Sequence, residues 1–197
     1  NLNIRTDLSQ IYRRNEVDLN CKRHMSIFQE YNIIPEFCFS CYKVQIEPDN
    51  LLDLVKLMMI FDELKLKENN TRKCMVELRP EIQGSYKGLI YCSSIKEANE
   101  IANIVDVIIK ENICNSLNSK VKRGCSEFPI SFPDYKEINN DGAQLMNYNK
   151  DWEPFERMYD KENHILRKKK NNKSLSGLNL QDVLIIRNWI DYAKGIG

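Results

Sequence analysis

The sequence has few of the residues and motifs that mark several large classes of enzymes and membrane proteins. It holds only seven glycines and two histidines, and it has neither a phosphate-binding glycine loop nor a G-x-S-x-G motif. With only His24 and His164, a Ser-His-Asp catalytic arrangement is not expected. No apolar run approaches the ~20 residues that span a bilayer. We therefore expect neither a membrane span nor a common hydrolase site.

The chain also lacks an excess of one charge sign. Its 29 Lys+Arg residues balance 28 Asp+Glu residues, for a net charge of +1. This argues against a dedicated duplex-binding protein but not against a local basic patch. We see no secretory leader, and the seven cysteines are an odd set that lies partly inside apolar runs. A reducing, cytoplasmic compartment is therefore expected.

The middle of the chain carries alternating strand and helix patterns. Period-two alternation predicts strands over residues 38–46, 74–79, 86–92 and 120–128, and apolar stripes at helical spacing predict helices over 51–64 and 94–109. The order strand, helix, strand, strand, helix, strand is typical of an α+β, ferredoxin-like βαββαβ fold. We expect sheet order 4-1-3-2 with both helices on one face.

Two flanking segments complete the predicted organisation. Residues 1–35 form an N-terminal helical segment, with a helix over 16–31, and residues 36–130 form the ferredoxin-like domain. Residues 131–197 form a polar linker and C-terminal helices, with a helix over 180–193 and a basic stretch at 167–173.

Two short-spaced pairs of potential metal ligands stand near the first strand. Cys21-x-x-His24 and Cys38-x-x-Cys41 supply the four sulfur and imidazole ligands that a tetrahedral zinc site takes. In the predicted sheet the end of strand four lies beside the start of strand one, so Cys125 could join Cys38 and Cys41. The alternative is that these are buried thiols and a buried histidine in the core.

One face of the predicted sheet is unusually polar. The alternation directs six side chains away from the helices: Lys43, Gln45, Glu77, Arg79, Lys87 and Tyr91. Strand four leaves two choices open, with either Lys122 and Ser126 or Arg123, Cys125 and Glu127 facing outward. The face is either a platform for an anionic ligand or a solvated surface with weak ion pairs.

The third strand is similar to part of a known signature. Lys87-Gly88-Leu89-Ile90-Tyr91 resembles the start of the strand-three motif of the RNA recognition motif, with Leu89 at a position where that family has an aromatic. The resemblance covers about half of the chain, and Tyr42 on strand one is turned to the core by the alternation. It implies base stacking on the sheet.

The patterns favour a non-enzymatic binding module that uses the polar sheet face. Its expected partner is single-stranded RNA or a protein, with a small anionic ligand also open. The alternative is a metal- or thiol-dependent enzyme, with zinc as the candidate metal, whose site joins Cys38, Cys41 and Cys125 to the charged face.

Overall fold

A computed structural model describes residues 7–14, 19–79, 82–138, 144–163 and 176–196. Its regular elements are β1 (Gln10–Arg13), α1 (Cys21–Tyr31), β2 (Tyr42–Ile46), α2 (Leu51–Glu63), β3 (Arg72–Val76), β4 (Tyr86–Cys92), α3 (Ile95–Asn112), β5 (Ser119–Arg123), α4 (Glu153–Glu162) and α5 (Leu180–Ile196). Short 3-10 turns lie at Glu36–Phe39, Phe128–Ile130, Pro133–Lys136 and Lys150–Trp152. The predicted basic stretch at 167–173 lies outside the described residues.

The strands form one antiparallel sheet, so the predicted α+β class is confirmed. The order is β1-β3-β4-β2-β5, which differs from the predicted order 4-1-3-2. The difference arises because an unpredicted strand, β1, pairs with the outer edge of β3. Strand β2 lies inside the sheet, between β4 and β5.

The β1 strand escaped prediction because its pattern is short and partly charged. Over four residues, Ile11 and Arg13 turn to the core while Gln10 and Tyr12 face away. Arg13 is buried because its guanidinium lies 3.2 Å from the Asp182 carboxylate of α5. A buried, paired arginine is indistinguishable in sequence from a solvated one, so alternation cannot be recognised there.

Three helices cover one face of the sheet, here called the inner face. Apolar residues of α2 and α3 form one continuous core with Val44, Ile90 and Cys74 of the strands. Helix α5 adds Ile185 and Trp189 to the same core. The Trp189 indole N–H donates to the Ser9 carbonyl oxygen at 2.8 Å, which fixes α5 beside β1.

Side-chain caps begin both long helices at the predicted turns. The Asn50 side chain accepts a hydrogen bond from the backbone N–H of Asp53 at the start of α2. At the start of α3, Ser94 accepts from the N–H of Glu97, and the Glu97 carboxylate accepts in return from Ser93. Such caps satisfy donors that a helix start leaves unpaired.

A second, smaller layer joins the N-terminal helix to α4. The Arg23 guanidinium of α1 contacts the carboxylates of Asp160 and Glu156, and all three side chains are buried. Helix α1 spans 21–31 rather than the predicted 16–31, because it begins after Asn20, whose backbone is in the left-handed region. Its buried Arg23 serves packing against α4. No helix in the described part of the chain is both long and apolar enough to cross a membrane.

We expect Gly88→Ala to destabilise the fold. A Cβ at Gly88 would overlap the Leu57 side chain and lie 3.2 Å from the Phe61 ring, so α2 would have to move away from β4. Overpacking of this kind costs about 1–3 kcal/mol. Urea unfolding would measure the loss, and Gly195→Ala, whose Cβ meets no atom within 4 Å, is the control. Equal stability of both variants would contradict the close approach.

Candidate functional site on the outer face of the sheet

The strand alternation that builds the core also creates a polar face on the opposite side. On β2, Tyr42, Val44 and Ile46 enter the core, so Lys43 and Gln45 face away from the helices. The same logic across the sheet defines the outer face, which comprises Tyr12, Lys43, Gln45, Lys73, Met75, Lys87, Leu89, Tyr91, Lys120 and Lys122.

A diagonal strip of cations and tyrosines crosses all five strands of this face. The backbone register pairs Tyr12 with Lys73, Tyr91 with Lys43, and Lys43 with Lys122. The Lys73 ammonium lies 5.8 Å from the Tyr12 ring centre and 5.9 Å from that of Tyr91. The strip therefore combines two tyrosines with three lysines, and we refer to Tyr12, Lys73, Tyr91, Lys43 and Lys122 as the strip.

Lys43 occupies the middle of the strip and is unusual in its surroundings. Its side chain is buried, with 7% of the residue exposed. Burial lowers the pKa of the Lys43 ammonium to about 8, although the nearby Cys125 and Glu127 act to raise it. Among the described residues, no hydrogen bond or ion pair involves its ammonium group. The Lys43 nitrogen is not one of the fully buried polar atoms without a partner, so the stem is buried while the charged end keeps access to solvent.

At the far end of β3 and β4 the predicted site residues neutralise one another. The Glu77 carboxylate accepts hydrogen bonds from Arg79 at 2.8 Å and from Lys87 at 3.4 Å. These contacts, led by the Arg79 hydrogen bond, lower the pKa of Glu77 to about 2. Arg79 also lies 3.7 Å from Glu127. This end of the face is an internal ion-pair cluster rather than a vacant receptor.

Gln45 belongs to a second polar cluster at the sheet margin. Its amide donates to Glu47 at 2.6 Å, and Lys120 and Lys122 lie 3.5 and 3.8 Å from the same carboxylate. Lys122 keeps 45% of its side chain exposed. The structure thus places four of the six predicted residues in two paired clusters, while Lys43 and Tyr91 belong to the strip, where the Lys73 ammonium lies over the Tyr91 ring.

The predicted zinc ligands differ in their exposure to solvent: Cys21 is exposed, whereas His24, Cys38 and Cys41 are buried. His24 is buried and stacks on Phe37 with ring centres 5.1 Å apart, whereas Cys21 is exposed. Within the described ranges, no group of three or more His, Cys, Asp or Glu residues could hold a metal ion. The zinc hypothesis stays a prediction, and the geometry of these residues does not add to it.

The end of β5 lies close to the segment before β2. The backbone N–H of Gly124 donates to the Cys41 carbonyl oxygen at 2.9 Å, and Cys125 packs against the cluster that contains Cys38. Cys38, Lys43 and Lys73 lower the pKa of Cys125, whereas Cys125 and burial raise the pKa of Cys38.

Arg123 fixes the end of β5 on which this arrangement depends. It faces the inner side, and its guanidinium donates to the carbonyl oxygens of Phe39 and Tyr135 at 2.8 and 3.0 Å. It also lies over the rings of Tyr42 and Tyr135. The open choice for strand four is thereby resolved: Lys122 faces outward and Arg123 inward.

Sequence reasoning missed two members of the strip. Lys73 lies one residue before the predicted start of the second strand, and continuing the alternation back by one position would have found it. Tyr12 gave no comparable signal because β1 was not predicted. Comparison of the chain with protein-family models, curated proteins and solved structures finds no significant match.

Proposed function

We propose that the outer face binds single-stranded RNA, with a phosphate group seated at Lys43. The observation that carries this proposal is Lys43, whose stem is buried and whose ammonium group reaches solvent without a hydrogen-bond or ion-pair partner among the described residues. A phosphate oxygen would supply a charge-assisted hydrogen bond to that group. Lys73 and Lys122, on either side along the strip, would contact neighbouring phosphates.

The tyrosines of the strip favour a nucleic-acid strand over an isolated anion. Tyr12 is 39% exposed at one end of the strip, so its ring offers a stacking surface. Proteins that bind single strands combine a cationic track with aromatic side chains on which bases stack. Strands lie about 4.8 Å apart, so the strip across five strands is about 19 Å long. That length accommodates several nucleotides.

We further propose that residues 36–130 form a ferredoxin-like unit to which β1 is added. The strands of this unit are adjacent in the order β5-β2-β4-β3. Helices α2 and α3 contribute to the same core on the inner face. This arrangement supports the proposal because both helices of the unit lie on the inner face, as in the RNA recognition motif. On the outer face Lys43, Gln45, Lys87 and Leu89 are buried, and the ends of the strip at Tyr12 and Lys122 are exposed.

Fluorescence anisotropy with a labelled ten-nucleotide oligouridylate tests the proposal. Each phosphate contact of a single strand contributes about −0.7 to the slope of log affinity against log salt, so three lysine contacts predict a slope near −2. Tyr12→Ala is expected to weaken binding about tenfold, the usual effect of removing one aromatic side chain on which a base stacks.

Tyr31→Ala is the matched control, because Tyr31 packs against Phe155 away from the strip. It is expected to leave the affinity unchanged. Equal effects of the two tyrosine variants would contradict the proposal. So would binding of inorganic phosphate or a protein ligand at Lys43 with no measurable affinity for the oligonucleotide.

A further inference from the structure

A pocket lies at the end of the outer face, and none of the strip residues lines it. It is found where β2 ends and where β4 and β5 begin, and it has a volume of about 480 Å³. Its walls include Gln45 and Lys120 on the sheet, residues 84–86 at the start of β4 and residues 116–118 before β5. Ligand pockets commonly have about 300–1,000 Å³, so this one has room for a small organic group.

The pocket is continuous with the strip along β2 and β5. Gln45 follows Lys43 on the same face of β2, two residues further along the strand. The register pairs Gln45 with Lys120, next to the pair of Lys43 and Lys122. Two strand residues span about 7 Å. A chain of nucleotides on the strip therefore reaches the mouth of the pocket one same-face position beyond Lys43.

The charge of the pocket differs from that of the strip. Glu47 and Asp49 both line it, together with one lysine, Lys120. Burial acts to raise the pKa of Glu47, but the hydrogen bond from Gln45 and the nearby lysines outweigh burial and lower it, so Glu47 is a carboxylate at neutral pH. Two carboxylates against one ammonium disfavour a phosphate in the pocket and favour a neutral group that donates hydrogen bonds.

The side chain of Gln45 adds a further acceptor to the pocket. The residue is 6% exposed, and its amide nitrogen donates to Glu47 at 2.6 Å. No hydrogen bond reaches its amide oxygen within the described part of the chain. That oxygen is not one of the fully buried polar atoms without a partner, so it opens on the pocket that the residue lines. Acceptors on buried side chains are normally satisfied, and a ligand donor in the pocket would satisfy this one.

We propose that this pocket binds the 3′-terminal nucleoside of a single-stranded RNA through its free 2′- and 3′-hydroxyl groups. The inference rests on the RNA binding proposed above. Within a strand, only the 3′-terminal nucleoside carries these two adjacent free hydroxyls, and carboxylates recognise ribose hydroxyls as acceptors. The Glu47 carboxylate and the Gln45 amide oxygen, held side by side by their hydrogen bond, supply two acceptors for the two donors.

The proposal makes the end of the RNA the feature that is recognised. Attraction to the lysines of the strip alone would make an additional terminal phosphate favourable at either end of the strand. The pocket predicts the opposite at the 3′ end, because a phosphate there meets Glu47 and Asp49 and replaces one hydroxyl donor. The sign of the effect of a 3′-phosphate therefore separates the pocket from the strip.

Competition against a 5′-labelled ten-nucleotide oligouridylate, read by fluorescence anisotropy, tests the inference on the wild-type chain. We expect an unlabelled strand with free 2′- and 3′-hydroxyls to compete about tenfold better than the same strand with a 3′-phosphate or with a 2′,3′-dideoxy end, the effect of losing a hydrogen bond to a charged group. A 5′-phosphate is the matched control and should not weaken competition. Equal competition by all three 3′ ends would overturn the inference and leave RNA binding intact, whereas a labelled strand that does not bind would overturn the proposed function as well.

Glu47→Gln assigns the effect to the pocket. We expect the affinity ratio between the 3′-hydroxyl and 3′-phosphate strands to fall from about ten toward one, because the repelling charge is lost. The ratio is the measured quantity, since the substitution also frees Lys120 and Lys122 from their ion pairs and raises the affinity for every strand.

Glu68→Gln is the matched control for the change of charge. Glu68 is exposed in the turn between α2 and β3, at the opposite end of the sheet from the pocket, and its variant should keep the wild-type ratio. An unchanged ratio in Glu47→Gln would overturn the inference. The comparison of strands on the wild-type chain decides the question even if a variant fails to fold.

Discussion

Lys43→Met is expected to bind oligouridylate about tenfold more weakly than the wild type while folding more stably. Methionine has a similar length and leaves the apolar contacts of the stem in place, but it removes the ammonium group. The lowered pKa of Lys43 shows that the fold disfavours its charge, so we expect a gain of about 1–3 kcal/mol at neutral pH. Anisotropy and urea unfolding on the same samples measure both effects.

Lys110→Met is the matched control, since Lys110 is exposed on α3 at the inner side. It should change neither property by much. A Lys43→Met variant that lost stability and affinity together would mark Lys43 as a structural residue. The Lys43 ammonium would then be stabilised by an ion-pair or hydrogen-bond partner outside the described residues.

The same residue predicts how binding depends on pH. Below its folded pKa of about 8, Lys43 carries the charge that attracts a phosphate, so affinity is expected to fall as the pH rises through 8. Fold stability should move in the opposite direction. Because the unfolded chain holds the Lys43 proton up to its ordinary pKa near 10.4 and the folded chain does not, stability rises between those two values.

Lys43→Arg separates the effect of this group from general pH effects. An arginine stays protonated over the whole range, so its oligonucleotide affinity should be flat between pH 7 and 9. If wild type and Lys43→Arg showed the same pH profile, another group would control binding.

The fold was largely predictable because its core depends on local patterns. Helices α2 and α3 carry both an apolar stripe and a side-chain cap, and β2 and β4 alternate over most of their length. What the pattern could not supply was β1, whose alternation includes a buried arginine that depends on Asp182, 169 residues away. Long-range charge pairing leaves no periodic signal.

The candidate site was predictable in composition but not in pairing. Alternation places Lys43, Lys87 and Glu77 on one face, yet it cannot show that Glu77 pairs with Lys87 while Lys43 stays unpaired. The close approach of Gly124 to Cys41 follows from the pairing of β5 with β2, which is a topological property rather than a local one.

Arg123→Lys is expected to destabilise the protein by about 2–4 kcal/mol. The residue is 3% exposed, and its guanidinium group donates hydrogen bonds to Phe39, Tyr42 and Tyr135, which lie on two separate segments. A lysine ammonium cannot make these planar contacts together, and a buried charge left partly unsatisfied carries most of the cost. Urea unfolding measures the loss. Hydrogen exchange should also rise in 36–42 and 133–136, which Arg123 joins.

Arg157→Lys provides the matched control for that substitution. Arg157 pairs with Glu153 within α4, and 67% of its side chain is exposed, so the change should stay within about 0.5 kcal/mol. Similar losses in the two variants would show that Arg123 contributes no more than a surface charge. In contrast, a selective loss in Arg123→Lys, with faster hydrogen exchange in 36–42 and 133–136, would show that this guanidinium holds the end of β5 against the segments of Phe39 and Tyr135.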